Sequence, residues 1–149
     1  MKSFYITALV VFLFDRLTKY LVLQADYKIL EITPFLNLVK VWNKGIAFGF
    51  FRESPDIFNF LLILLIPLIL LAVFFFAKRV SGVDRVSLSL IFGGGLGNWL
   101  DRIALGAVLD FIDIHVRNYH WPAFNIADAS ISLGLILFLF NHVLKDIRK

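Results

Sequence analysis

Residues Ile57–Ala77 read IFNFLLILLIPLILLAVFFFA, 21 residues without a charge. A helix that crosses the hydrocarbon core of a bilayer needs about 20 mostly apolar residues, so this stretch places the chain in a membrane. Composition agrees. The chain of 149 residues is 60% hydrophobic and 17% charged, with a mean hydropathy of +0.83, whereas soluble domains are about 45–50% apolar. A single membrane-embedded domain, residues 1–149, is expected, with little chain outside the bilayer.

Three flanking stretches qualify or nearly do: SFYITALVVFLFDRLTKYLVL (Ser3–Leu23), VSLSLIFGGGLGNWLDRIAL (Val86–Leu105) and NIADASISLGLILFLFNHVL (Asn125–Leu144). The first is not read as a cleaved signal, because Asp15, Arg16 and Lys19 interrupt it and no small-residue cleavage site follows. Lys2, the connection KRVSGVDR (Lys78–Arg85) and the terminal KDIRK (Lys145–Lys149) fall on one side if there are four spans, which predicts cytoplasmic termini. The other side receives Gln24–Asp56 and Gly106–Phe124. Within these, FLNLVKVW (Phe35–Trp42) and AVLDFIDIHV (Ala107–Val116) alternate as strands do. The predicted fold class is an all-α polytopic membrane protein, four transmembrane helices carrying a small extracytoplasmic β-sheet.

Several chemistries are excluded or disfavoured by content. There are no cysteines, hence no disulfides, thiolate nucleophiles or Cys-based metal sites. The net charge of +4 is not gathered into a basic groove interleaved with aromatics, so nucleic acid is not an expected partner. Lys19 lies near no serine in sequence and no GxSxG occurs, against a Ser–Lys peptidase or a serine hydrolase. A metal site could be assembled from Asp113, His115 and His120, but the spacing matches no HExxH pattern and histidines in a wet loop are usually just solvated.

Six charged residues, Asp15, Arg16, Lys19, Asp101, Arg102 and Asp128, fall inside the spans. At about 2.5–3.5 kcal/mol each in the bilayer centre, facing lipid would cost roughly 15–20 kcal/mol, more than a small domain's net stability. They are expected to face one another or lie near an interface. Asp15 and Lys19 have the order that favours an i,i+4 ion pair. Asn98, Asp101 and Arg102 share a helix face, as do Asn125, Asp128 and Ser132. Structural ion pairing between helices explains Asp15 and Lys19 as well as function does, but Asp128 less well, because it sits at a helix start. A small transporter, proton channel or assembly factor would also enclose charges, but a transporter would tend to carry them on both sides of the midplane, and the inner halves are nearly bare. Gly93 and Gly97 have the GxxxG spacing of close helix packing, with a groove for substrate as the alternative.

Two acids stand out. In AVLDFIDIHV, period two puts Val108, Asp110, Ile112, Ile114 and Val116 on one face, where Asp110 is the lone acid; Asp113 falls on the other face with His115 and Arg117, where solvation is expected. Asn125 can cap the last helix with Asp128 three residues on, leaving that carboxylate at the positive helix end. Two carboxylates about 5 Å apart, at an effective dielectric near 20, repel by about 3 kcal/mol, roughly two pKa units. One then keeps its proton near neutrality, and the pair can take a proton from water while giving one to a carbonyl oxygen. Helix position favours Asp128 as the initial base and Asp110 as the protonated partner. The spacing permits Asp110 and Asp128 to meet but does not require it.

Five motifs occur in order: DRLTK from Asp15, NKGIAFG from Asn43, GGGLGNWLDR from Gly93, VLDFID from Val108 and FNIAD from Phe124. With these the chain resembles, over nearly its whole length, the lipoprotein signal peptidase (signal peptidase II) family of bacterial membrane aspartic peptidases. The resemblance implies a catalytic pair at Asp110 and Asp128. It implies substrate positioning by Asn98 and Arg102, with Asp101 supporting them, and by Asn43 and Gly45 in an outer segment, Asn43–Gly49, lying over the site. Asn125 would orient the pair, and Asp15 and Lys19 would be the supporting polar pair of the first helix. The implied substrate is a diacylglyceryl-modified prolipoprotein cut on the amino side of its lipidated cysteine, with no cofactor and no metal. A monomer in the bacterial cytoplasmic (inner) membrane, in contact with membrane lipid and with its active site near the outer face, is expected. Ile46, where a small residue is common, and Gly95, in a variable part of the glycine run, depart from the family pattern without touching the chemistry.

Overall fold

The structure, a computed structural model, describes residues 1–45 and 55–147. Its elements run α1 (Lys2–Gln24), β1 (Ile29–Thr33), β2 (Leu36–Asn43), α2 (Pro55–Arg79), α3 (Gly82–Leu105), β3 (Val108–Val116), β4 (Tyr119–His120) and α4 (Ile126–Ile147). The protein is mostly helical with one small antiparallel sheet, ordered β1-β2-β3-β4. The predicted spans lie within the four helices, apart from Asn125, which caps α4. The two predicted strands are β2 and β3; β1 and the two-residue β4 were not anticipated.

Among the described residues, two helices are long and apolar enough to cross a membrane, Asp56–Arg79 and Ile126–Lys145. α1 and α3 have comparable length, 23 and 24 residues, but enclose charges. In α1 the usual amphipathic arrangement is inverted. Its inward stripe, Phe4, Ala8, Val11, Asp15, Lys19 and Val22, contains the ionisable groups, while Leu9, Leu13, Phe14, Leu17 and Leu21 face outward, each more than half exposed. Apolar surface outside and paired charge inside is the pattern that hydrocarbon solvent selects.

α3 occupies the centre and packs on the other three helices. Its glycines permit this. A Cβ on Gly93 would stand 2.5 Å from the Ala8 carbonyl oxygen of α1, and one on Gly94 would stand 2.5 Å from that of Ala127 in α4. On α4, Gly134 returns the contact, with its Cβ position 2.6 Å from Ser87 O. Of the two readings of the glycine run, close helix packing is the one observed. α2 packs principally on α3, and a side chain joins them inside the apolar layer. Pro67 has no N–H to give to Ile63, four residues earlier, and Trp99 Nε1 donates to that Ile63 carbonyl at 2.9 Å instead. At the opposite end from the sheet, Asp84 accepts from Asn141 Nδ2 and Lys145 Nζ, each at 2.5 Å, tying α3 to α4.

Gly106 closes α3 in the left-handed conformation, φ +71°, with its N–H on the Arg102 carbonyl, and turns the chain into β3. The expectation of one buried and one solvated face on β3 is corrected here. Val108 to Phe111 are all buried, on both faces, and exposure rises only toward the hairpin tip at Val116. The first half of β3 is wedged against α1 and α3, so depth rather than face decides. Asp113 is consequently 7% exposed, not solvated, and accepts from Asn37 Nδ2 at 3.1 Å while His120 Nδ1 lies 2.9 Å away.

Candidate active site

Asp128 is held by the helix it opens. Its backbone N–H donates to Asn125 Oδ1 at 2.9 Å, and its Oδ2 accepts from the Asn125 N–H at 3.2 Å. This reciprocal capping box satisfies two of the free donors of the first turn and fixes the carboxylate near the positive helix end. Asp15 of α1 adds a cap from outside the helix, since its Oδ1 accepts from the Ala127 N–H at 3.1 Å.

Asp110 is held by a strand irregularity. Near the hairpin end, Leu38 opposes Ile112, but after a bulge Val41 opposes Asp110 and Asn43 opposes Val108. Two residues of β2, Val39 and Lys40, thus stand against Phe111. Because side chains alternate, one inserted residue changes the face of everything beyond it. Without the bulge Lys40 would oppose Asp110; with it, Asn43 comes to Asp110's face and donates from Nδ2 to Oδ2 at 2.9 Å. Asn43 is itself oriented, its Oδ1 accepting from the Gly45 N–H at 2.7 Å. Gly45 has φ +92°, a conformation that residues with a Cβ rarely adopt, so a substitution there is strained, and the end of the Leu62 side chain, 2.6 Å from a Cβ position, would also have to move. Ile46 to Gly49, the rest of that motif, lie outside the described residues.

Two asparagines join the acids. Asn125 Nδ2 donates to Asp110 Oδ1 at 2.7 Å and to Asn98 Oδ1 at 3.2 Å. Asn98 Nδ2 donates to Asp128 Oδ1 at 2.7 Å. The amide orientation of Asn98 is dictated by Lys19, an ammonium that only donates, which gives a hydrogen bond to Asn98 Oδ1 at 3.0 Å. Each of the two acids therefore accepts on both oxygens, and one unbroken set of donors runs from Lys19 to the pair. Beneath it lies a neutral quartet. Lys19 Nζ is 2.9 Å from Asp15 Oδ2 and 2.7 Å from Asp101 Oδ2, and Arg16 spans the same two acids at 2.9 and 2.5 Å. Gly97 makes room for it, since a Cβ there would stand 2.7 Å from Asp15 Oδ2. Arg102 is 9% exposed. Its Nη1 donates to the Asn98 carbonyl at 3.3 Å, and its Nε has no hydrogen-bond partner among the described residues.

Burial pushes the Asp110 carboxyl up to about 6, against the hydrogen bond from Asn43 and with the negative charge of Asp128 adding to the rise. Its surroundings thus let the strand-borne acid keep its proton to higher pH than a free carboxyl does. A groove of about 410 Å³ reaches Asp110 past Trp42, Asn43, Pro122 and Ala123, and a second of about 430 Å³ reaches Asp128 past Trp121, Pro122, Ala123 and Phe124. Pro122 and Ala123 form a wall common to both. Phe124 O secures this strap by accepting from the N–H groups of Phe111 and Ile112 at 3.0 and 2.8 Å.

The residues picked out in the sequence, Asp15, Lys19, Asn43, Gly45, Asn98, Asp101, Arg102, Asp110, Asn125 and Asp128, are thus assembled at one end of the bundle. Asp113, His115 and His120 also come together, but as a hydrogen-bonded pair with stacked imidazoles, centroids 4.9 Å apart. Among the described residues, no group of three or more acids and histidines is placed to hold a metal ion. The strap residues Pro122 and Ala123 carry no chemistry in their side chains and gave no sequence signal. In sequence Arg16 shows only as a charge inside a span, because its second partner, Asp101, lies 85 residues away on α3.

The family model for signal peptidase (SPase) II matches residues 7–144. The chain is 44% identical over 137 residues to a lipoprotein signal peptidase of Aquifex aeolicus (strain VF5), covering 91% of this chain and 82% of that protein. It is 42% identical over 146 residues to one of Pelagibacter ubique (strain HTCC1062), covering 93% and 88%. A solved bacterial membrane enzyme superposes over 99% of this chain and 90% of its own with a TM-score of 0.80 at 34% identity. Site geometry, fold and sequence converge, and the chain belongs to the signal peptidase II family.

Proposed function

We propose that this protein is a membrane aspartic endopeptidase that removes the signal peptide from diacylglyceryl-modified prolipoproteins, cutting on the amino side of the lipidated cysteine, with Asp110 and Asp128 as its catalytic pair. The observation that carries the assignment of residues is the joint holding of those two carboxylates by Asn98 and Asn125. Asp128 takes a proton from water as its oxygen attacks the scissile carbonyl carbon, and Asp110 gives its proton to the carbonyl oxygen. When the tetrahedral intermediate collapses and the C–N bond breaks, a proton passes from the pair to the departing amine. The hydroxyl formed from the carbonyl oxygen returns its proton to Asp110, so the signal peptide leaves as a carboxylic acid that then ionises to solvent, the lipidated cysteine leaves with a free amine, and the pair retains one proton. Asn98 and Arg102 position the substrate main chain, the free Nε–H of Arg102 being a donor in reserve, while Asn43 and Gly45 hold the Asp110 side. Asp15, Lys19 and Asp101 support the pair from below.

In this reading all four helices span the bacterial cytoplasmic (inner) membrane as one domain, with both termini cytoplasmic and the sheet on the outer face. The enzyme works as a monomer surrounded by lipid. α1 supports this placement, since its outward side is apolar along its length and its charges are enclosed. The test is cleavage of a purified diacylglyceryl-modified prolipoprotein beside its unlipidated form. The lipidated precursor is expected to be cut before its cysteine, equally well with a metal chelator present; no cut at that bond would overturn the reading.

A pH profile tests the proton inventory. Asp110 must be protonated at the start, and its raised carboxyl, about 6, loses that proton as pH rises. The free-enzyme profile of kcat/KM is expected to fall on its alkaline side from about that pH. The kcat profile should fall later, because bound substrate buries the carboxyl further. Removing Asn43's hydrogen bond, which favours the ionised form, should move both limbs upward. A profile that instead rises through this range would show that Asp110 acts deprotonated.

A further inference from the structure

Ser132 stands on α4 one turn beyond Asp128, exposed, on the wall of the 430 Å³ groove that also touches Trp121, Phe124, Asp128 and Ala129. Some hydroxyls within helices are satisfied locally, Thr18 on Phe14 O, Ser87 on Val83 O and Ser89 on Val86 O; of the helical hydroxyls that are not, Ser132 is the one that lines this groove. Ser132 makes no hydrogen bond among the described residues. In an apolar solvent an unpaired hydroxyl is unfavourable, and one that faces an open groove is free to rotate toward whatever acceptor fills it. The lining contains no Lys, Arg or His, so a phosphate finds no cation there, whereas a neutral carbonyl oxygen finds a donor.

We propose that Ser132 donates a hydrogen bond to an ester carbonyl of the glyceryl lipid on the substrate's cysteine, and that the groove from Trp121 to Ser132 seats the ester region of that lipid. This rests on the reading of the chain as a prolipoprotein peptidase and adds the subsite. One helical turn advances about 6 Å along α4, away from the helix end that carries the catalytic acid and toward the middle of the bilayer. A cysteine held at the scissile bond beside Asp128 sends its thioether and first glyceryl carbons over that distance. The rings of Trp121 and Phe124 supply apolar walls for the glyceryl carbons and first methylenes, and the groove opens directly onto the acid. A specific subsite is thereby continuous with the chemistry.

The experiment compares two synthetic lipopeptides with the full-length protein: one carrying a diacylglyceryl cysteine, with ester carbonyls, and one carrying the dialkyl ether, which lacks them. With the parent protein the ether substrate is expected to show a KM about fivefold higher at similar kcat, the worth of one neutral hydrogen bond. Ser132→Ala should raise KM for the ester substrate by the same factor and abolish the preference for ester over ether. Ser132→Thr, which keeps the hydroxyl, should restore it. A Ser132→Ala variant that still prefers the ester, or that loses kcat instead of KM, would overturn the subsite while leaving the peptidase reading intact. Failure of the parent to cut either lipopeptide would overturn the peptidase reading itself, and the subsite with it.

Discussion

Asp128→Asn is expected to lower kcat by about 10³- to 10⁴-fold, the range reached when one member of a coupled acid–base unit is removed, while the protein still inserts and folds. The amide has the size of the carboxyl, and its single oxygen can accept from Asn98 Nδ2 or from the Asn125 N–H, though not from both. One hydrogen bond is therefore lost, at about 1–3 kcal/mol, and the helix keeps the rest of its cap through Asn125 Oδ1 and Asp15. What vanishes, in the proposed mechanism, is the base. Asp110→Asn should do comparable damage for the complementary reason. Its oxygens also serve two asparagine donors, but the substituted group has no dissociable proton to give. Two acids acting as the proposed unit would make the double variant scarcely worse than either single one. Turnover of a lipidated prolipoprotein, measured beside thermal unfolding of the same samples, separates chemistry from fold. A kcat within tenfold of the parent in either variant would remove that residue from the catalytic pair.

Much of this arrangement was legible because membrane burial makes polar residues conspicuous. Asp128 with Asn125 three residues earlier is a capping box in sequence and in space, since both partners belong to one local turn. Asp15 and Lys19, four apart on one helix, were likewise paired from spacing alone. Signals between elements were weaker. Nothing in FLNLVKVW marks the bulge that carries Asn43 to Asp110's face, because a bulge is set by how two strands meet. The same holds for Asp113, whose burial follows from the depth at which β3 enters the bundle rather than from its own alternation. Mean hydropathy sets α1 and α3 apart from the two more apolar helices because it sums over a helix and is blind to which side the charges occupy.

Lys19→Met is expected to destabilise the protein by about 3–5 kcal/mol, the cost of removing one partner from a buried ion pair. Lys19 is 3% exposed, Asp15 0% and Asp101 1%, so water cannot replace the lost ammonium. Arg16 reaches both acids, yet a single guanidinium leaves the quartet one negative charge in excess. The effect should extend to the catalytic pair. Asn98 Oδ1 loses its 3.0 Å donor from Lys19, which is the contact that dictates which end of the amide faces Asp128, and Asp110 loses a positive charge that lowers its carboxyl. The variant should therefore unfold at lower temperature, and its surviving fraction should show a lowered kcat, from the loss of Asn98's donor, and an alkaline limb of kcat/KM moved upward. Combining it with Asp101→Asn separates the two consequences. The pair of changes restores neutrality among Asp15, Arg16 and residue 101, so most of the thermal stability should return, whereas Asn98 still lacks its donor and kcat should stay low. If the double change recovers both together, charge balance alone is what Lys19 provides, and the orientation of Asn98 is secured by Asn125 without it.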